Sequence, residues 1–287
     1  MVRAMCHHYH QSHTGEDMKI GIIGAGNIGS ALAGHFCKLQ HTVLIANSRG
    51  PETLSRVAEA TGATPVAISA VVKGVDLLVV TIPMKAVRSL PKDLLRELPA
   101  GSPIIDTGNY YPLRDGLIEG IGAEMTESEW TSSILGRPVI KAFNNIMSDS
   151  LVHGGRPKGS KSRIALPVSG ADTTAKRFVI ALLDNMGFDG LDAGPLSESW
   201  RYEPGTPAYC PDPTLKELPS LLERANRKKA AGNRDQAAKI LAKLPPGFPA
   251  QELVRASRFL VGLDVLKPRS WFAMIRLGFA MLRPARS

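Results

Sequence analysis

Gly24-Ala25-Gly26-Asn27-Ile28-Gly29 follows the apolar run Lys19-Ile20-Gly21-Ile22-Ile23 and leads into a helical pattern that continues to Lys38. Glycine-rich strings occur by chance, but one between a strand and a helix has a mechanism. Gly24 permits the tight turn, Gly26 lets backbone approach a pyrophosphate, and Gly29 lets helix and strand pack closely. Ala25, Asn27 and Ile28 complete the loop. The free N–H groups of the helix N-terminus then face the phosphates.

The next apolar run, Thr42-Val43-Leu44-Ile45-Ala46, ends in Asn47-Ser48-Arg49. A domain that binds NAD needs an acidic residue about 20 residues beyond the glycines to hold the ribose 2′-hydroxyl. This turn has none. A carboxylate would repel a ribose 2′-phosphate, whereas a hydroxyl and a guanidinium can hydrogen-bond it. Ser48 and Arg49 therefore point to NADP as the cofactor. Pro51-Glu52-Thr53 opens a helix, with proline in the first turn where its missing N–H costs nothing.

The remaining chemistry belongs at the carboxyl ends of the later strands, where ligands sit in sheets of this kind. Thr81-Ile82-Pro83, Thr107-Gly108-Asn109 and Ala142-Phe143-Asn144-Asn145 arrive there. Small and amide side chains predominate. The sequence shows no Ser/His/Asp set, no metal-ligand cluster and no pair of buried carboxylates. His153 is the histidine in the right part of the chain and reads as a solvated loop residue. Lys141 should point away from Ala142, because strand residues alternate faces. Such a site suits positioning rather than proton transfer, as in hydride transfer between two flat heterocycles. Cys210, beside Tyr209, reads as a structural thiol.

Strand–helix alternation across residues 18–194 must position these residues. Further strands are expected at 76–82, 103–106, 138–143 and 163–168. Helices are expected at 51–61, 67–73, 84–97, 127–135 and 172–186, the fourth of them opened by a Thr126/Glu129 capping box. Continuous apolar runs indicate strands buried on both faces. The fold class is α/β: a doubly wound, mainly parallel Rossmann sheet. Five prolines break the rhythm between Pro195 and Pro213, a stretch that suits either a functional loop or a linker. Helical patterns then cover 215–225, 233–243, 250–266 and 270–282. This divides the chain into a disordered tail (1–17), an NADP-binding domain (18–213) and a basic helical extension (214–287).

Charge supports that division. The chain carries +9 overall, but residues 1–214 hold 20 Lys and Arg against 21 Asp and Glu, while residues 215–287 hold 15 against 5. An anionic partner for the extension follows: an acidic membrane surface or a polyanionic acceptor. Nucleic acid is not expected, because no recognition motif accompanies the charge. Residues 271–282 are apolar nearly all round, with Arg269, Arg276 and Arg283 repeating every seven positions. That segment is too short to cross a bilayer. It suits a membrane interface, or packing on the body or on a second subunit of a homodimer. Three cysteines at wide spacings indicate no disulfide framework and fit a reducing cytoplasm, including the inner face of its membrane. The tail holds Cys6, His7, His8, His10 and His13 without a convincing metal spacing, and no secretory signal pattern.

KIGIIGAGNIGSALA, NSRGPETL, VVTIP, IIDTGN, the SEW helix start and VIKAFNN together resemble the NADPH:deazaflavin oxidoreductases. They also resemble the NADPH-binding domain of transmembrane ferric reductases. The resemblance covers roughly residues 18–213. It implies NADP across the sheet, with a deazaflavin or flavin stacked near the nicotinamide as hydride acceptor. By position, Ser48 and Arg49 would hold the 2′-phosphate, with Asn47 beside them. Thr53 stands where a lysine assists in some members. Thr81, Ile82, Pro83 and Ala142 would border the nicotinamide, and Asn109 would line the cleft. Two other classes remain open: an NADP-dependent dehydrogenase of the hydroxyacid or pyrroline-carboxylate type, and a non-enzymatic NADP-binding redox sensor.

Overall fold

The structure is a computed structural model and describes residues 17–122 and 124–282. Strand β1 (Lys19–Ile23) leads into helix α1 (Asn27–Lys38) and strand β2 (Thr42–Ala46). A 3-10 turn over Pro51–Leu54 runs into α2 (Ser55–Thr61), followed by the two-residue strand β3 (Thr64–Pro65). Then come β4 (Leu77–Val80), α3 (Met84–Val87), β5 (Ile104–Asp106), α4 (Pro112–Asp115), α5 (Glu127–Leu135) and β6 (Ile140–Lys141). These six strands form one parallel sheet in the order β3-β2-β1-β4-β5-β6. That is the doubly wound order, with its reversal between β1 and β4.

Alternate residues of the central strands feed two separate cores, as the period of a strand requires. Ile20, Ile22, Leu77, Val79 and Ile105 pack with Leu32 and Phe36 of α1 on one face. Ile23, Leu78, Val80 and Ile104 pack with Val71, Val75, Leu94 and Leu98 on the other. The capping box of α5 forms as expected: Thr126 Oγ1 accepts from Glu129 N, and Glu129 Oε2 accepts from Thr126 N.

Four differences from the pattern matter most. Residues 67–73 form linked turns rather than a helix, with three-residue bonds from Ala70 N and Lys73 N and a left-handed Gly74 ending the run. Pro91 splits the expected 84–97 helix into α3 and a 3-10 turn at Leu94–Glu97. Strand β3 escapes the reading because Pro65 and its brevity hide it; as an edge strand it tolerates proline. The fourth difference lies beyond β6. After α6 (Ser148–His153), strand β7 (Ala165–Val168), α7 (Thr173–Asn185) and β8 (Asp189–Asp192) form a separate parallel pair. Reciprocal bonds between Lys141 and Ser169 attach that pair to the main sheet in the antiparallel sense.

The proline-rich stretch is well packed. It folds as a 3-10 helix over Leu196–Tyr202 and a series of turns, burying Ser199, Tyr202, Glu203, Thr206 and Ala208. The chain then becomes helical: α8 (Leu218–Glu223), α9 (Arg227–Leu241), α10 (Ala250–Leu260) and α11 (Pro268–Leu282). Leu218, Leu221 and Leu222 of α8 share a core with Ala165, Tyr202 and Ala208. Arg258 of α10 ties Glu217 and Asp264 at 2.8 and 2.7 Å and donates to the carbonyls of Pro211 and Asp212. The histidines of the N-terminal tail and Arg283 lie outside the described residues. Among those described, no helix is long and apolar enough to cross a membrane.

Candidate functional site

Gly24 turns the chain off β1 in the left-handed region, at φ 112°, and its N–H donates to Ala46 O at 2.8 Å. A Cβ on Gly24 would run into the Thr81 carbonyl, and one on Gly29 into the Gly24 carbonyl. Both glycines are therefore required by close approach of β1, β4 and α1. Gly26 differs: it is exposed, extended at φ −78°, and no atom lies within 4 Å of where its Cβ would be. No side chain caps α1 and no acid stands in its first turn. Its first N–H groups are open to an anion. Asn27 is exposed beside them, and Ala25 and Ile28 are half-buried.

At the end of β2, Asn47 shapes the turn. Its Oδ1 accepts from Arg49 N at 2.9 Å, and its Nδ2 donates to Thr53 Oγ1 at 2.9 Å. Thr53 Oγ1 in turn donates to Gly50 O. Asn47 and Thr53 thus hold the loop, while Ser48 and Arg49 project exposed from it. The Arg49 side chain has no hydrogen bond or ion pair among the described residues. The glycine loop and this turn fit a dinucleotide carrying a 2′-phosphate: open backbone for the pyrophosphate, a free guanidinium, and no carboxylate at the end of β2, the position that holds a ribose 2′-hydroxyl in NAD sites.

At the ends of β4 to β6, Thr81 and Ile82 are half-buried and Pro83 is exposed as the residue before α3. Asn109 is clamped: its Nδ2 donates to Asn144 O at 2.8 Å and lies 3.4 Å from the Tyr209 hydroxyl, while its Oδ1 accepts from Asn144 Nδ2 at 3.2 Å. The proline-rich stretch reaches this point. Tyr209 and Tyr111 share a hydroxyl–hydroxyl bond of 2.8 Å, and Asn145 Nδ2 donates to Ala208 O at 3.0 Å. Burial pushes both phenols up, Tyr111 to about 12, so each keeps its proton. Phe143, Cys210 and Asp212 adopt positive φ around the same junction. Aspartate tolerates that region, but Phe143 there stores strain of the kind that collects at functional sites. Burial likewise raises the Cys210 thiol, so it stays protonated.

Two expectations need correction. Ala142 has no exposed surface: it lies in the core with Ile140 and Phe143, because β6 ends before it and its side chain turns inward. The strand ends are also richer in titratable groups than the sequence suggested. Lys141 is fully buried, and its Nζ donates to Gly108 O at 2.8 Å and to Glu127 Oε2 at 3.1 Å. Glu203 is buried beside them and accepts from Glu127 N at 2.9 Å. Asp106, also buried, accepts from Gly108 N and from Ser128 Oγ.

The cluster holds three carboxyl groups against one ammonium. Burial, then repulsion from Glu203, pushes Glu127 up to about 8; burial raises Glu203 as well. Burial works against the Lys141 ammonium, yet Glu127, Asp106 and Glu203 hold its pKa above the usual value. The group therefore binds a proton more tightly than a free glutamate would. A sequence signal existed: a lysine inside the apolar run VIKAF must find a partner or not be buried at all. Its contacts run to the backbone of Gly108 and to α5, so it positions the β5–α4 loop from behind.

His153 ends α6, near His35, whose Nε2 contacts Leu151 O about two turns along α1 from the glycine loop. A cleft of about 540 Å³ runs between these helices from Gly26 to Lys38. Among the described residues no group of His, Cys, Asp and Glu side chains could hold a metal ion.

Residues 19–110 match the family described as NADP oxidoreductase, coenzyme F420-dependent. The Escherichia coli (strain K12) protein YjhV is 40% identical over 60 residues, which is 21% of this chain and 44% of that protein, under half its length. A solved structure from Sinorhizobium meliloti, SMa0349, is 28% identical with a TM-score of 0.53, covering 64% of this chain and 88% of its own. A candidate F420-dependent NADP-reductase from Arthrobacter sp. FB24 is similar at 24% identity and a TM-score of 0.54, over 63% of this chain and 87% of its own, and shows the shared fold. The glycine loop, the turn after β2 and the strand ends of β4 and β5 all fall inside the matched span. The dinucleotide-binding part of this chain, residues 19–110, is thus similar to the NADP oxidoreductases of the coenzyme F420-dependent family.

Proposed function

We propose that this chain is an NADP(H)-dependent oxidoreductase that passes a hydride between NADPH and a flat heterocyclic acceptor, a deazaflavin or flavin. The turn after β2 carries the cofactor half of this reading: no acid among Asn47, Ser48 and Arg49 directly after the strand, a bond between Asn47 and Thr53 that braces the loop, and Arg49 presented free. Bound NADPH would supply the hydride. Gly26 and the start of α1 would hold its pyrophosphate, and Ser48 and Arg49 its 2′-phosphate. Asn109, clamped by Asn144 and Tyr209, would orient what lies at the ends of β4 and β5. The walls there are amides, phenols and apolar side chains, which suits alignment of two rings more than proton transfer. The charged cluster sits behind Gly108 rather than in the open.

Arg49→Ala should weaken NADP binding roughly ten- to hundredfold, the worth of about 1.5–3 kcal/mol for a charge-assisted contact, and leave NAD binding unchanged. Calorimetric titration with both cofactors checks this. Equal affinities in the unaltered protein would refute the reading of the turn.

Steady-state NADPH oxidation with deazaflavin, flavin, carbonyl and imine acceptors tests the second half. With a ring acceptor, His153→Ala and Tyr209→Phe should each cost less than the ~100-fold typical of an essential acid or base. The Tyr111–Tyr209 phenol pair favours one second reading, carbonyl or imine reduction with a tyrosine as proton donor. Turnover confined to those acceptors and lost in Tyr209→Phe would establish it instead.

A further inference from the structure

Helix α11 is packed inside out. Ser270, Ala273, Leu277 and Ala280 repeat at three and four positions and are the buried residues of the helix, laid against α10. The large side chains occupy the opposite arc: Trp271 is 54% exposed, Phe272 64%, Ile275 50% and Phe279 66%. An amphipathic surface helix normally buries its large apolar residues and shows its small or polar ones. Nearby Leu266, in the turn before the helix, is 92% exposed and enlarges the same face. Trp271 is held in place rather than loose. Its ring meets Phe259 edge-on at 4.8 Å, and its Nε1 donates to Val265 O at 2.9 Å.

The charge around this face is predominantly basic. Helix α11 contains no acidic residue, and Arg269 and Arg276 flank its exposed apolar arc. The nearest acids are already paired: Glu252 with Arg255 and Arg276, Asp264 with Arg258 and Lys267. We propose that this face docks on an anionic lipid surface, with Trp271, Phe272, Ile275 and Phe279 entering the headgroup region and Lys267, Arg269 and Arg276 meeting the lipid charge. Apolar area and basic flanks are the two contributions to interfacial binding. A second copy fits the charge poorly. A two-fold contact through this face would set one net basic surface against another.

Flotation of the full-length protein with vesicles separates the cases. We expect binding to vesicles of equal phosphatidylglycerol and phosphatidylcholine, falling steeply as salt rises, and little binding to phosphatidylcholine alone. The double variant Phe272→Ser/Phe279→Ser should lose at least about tenfold in vesicle affinity, and Arg269→Glu should lose most at low salt. Arg269, Phe272 and Phe279 are all exposed, and NADP titration of each variant checks that the fold is kept. Absence of binding to both vesicle types at low salt overturns the proposal. So does a dimer by analytical ultracentrifugation that Phe272→Ser/Phe279→Ser converts to monomer, which would assign the face to a second copy.

Discussion

Lys141→Met should lose about 3–5 kcal/mol of stability at pH 8, the usual loss when one partner of a buried pair is removed, and distinctly less at pH 5. The ammonium faces Glu127 at 3.1 Å with both side chains buried, and Glu203 and Asp106 are buried close by. Removing it leaves carboxylates with nothing opposite them, and leaves the Gly108 carbonyl without its donor. The pH dependence follows from Glu127. Its folded pKa is raised from 4.5 to about 8, by burial first and then by Glu203. Between those values the folded chain keeps a proton that the unfolded chain has lost. The stability linked to this carboxyl is therefore complete below about 4.5 and declines as pH rises toward 8. Lys141 lowers the pKa of Glu127, so without it the carboxyl keeps its proton to higher pH and the decline runs on where that of the parent levels off near pH 8. Urea unfolding of both proteins at the two pH values measures the difference. A loss under about 1 kcal/mol that is the same at pH 5 and pH 8 would show that the cluster is not coupled.

That cluster also marks the limit of what the sequence displayed. Strand–helix alternation, the glycine loop and the unpaired turn after β2 were legible because each rests on local chemistry: period, φ, and the charge of a few adjacent residues. The Thr126–Glu129 cap was legible for the same reason. Lys141, Glu127 and Glu203 stand far apart in the chain and come together only through the β6–α5 crossing and the return of the proline-rich stretch. Treating each side chain alone made Lys141 a strand residue pointing away from Ala142, with no partner assigned, and hid the carboxylates. Tyr209 was read as the neighbour of a cysteine; its contact with Tyr111 and Asn109 spans about a hundred residues and has no local signature.

The helical end of the chain shows a related limit. The apolar composition of α11 was visible, but which arc it buries was not, since nearly every position could face inward. Three small residues, Ser270, Ala273 and Ala280, join Leu277 in the seam because α10 approaches closely, and close helix contact favours small side chains there. The wide residues are then left to the outside. The segment 195–213 likewise matched a linker as well as a functional loop by composition. Its hydrogen bonds to Asn144 and Asn145 decide for a packed wall at the strand ends.

Gly26→Ala and Gly29→Ala should fail in opposite ways, although the two glycines stand three residues apart in one motif. At Gly26 an added methyl meets nothing within 4 Å, and φ −78° is ordinary for alanine. Stability should stay within about 0.5 kcal/mol of the parent, as for surface changes generally. NADP affinity should nevertheless fall ten- to hundredfold or more, because that open space lies where backbone would approach the pyrophosphate, and charged hydrogen bonds of about 1.5–3 kcal/mol are lost with it. At Gly29 the methyl drives into the Gly24 carbonyl and toward Thr81 Cγ2. Neither can retreat, since Thr81 N is bonded to Ile23 O and Gly24 N to Ala46 O. Helix α1 must therefore move off the sheet, at a cost of at least the ~1–3 kcal/mol typical of overpacking. Thermal unfolding alongside cofactor titration reads both effects at once. If Gly26→Ala kept full NADP affinity, the loop would not be the phosphate site. If Gly29→Ala were as stable as the parent, the close approach of helix and strand would not be what fixes that glycine.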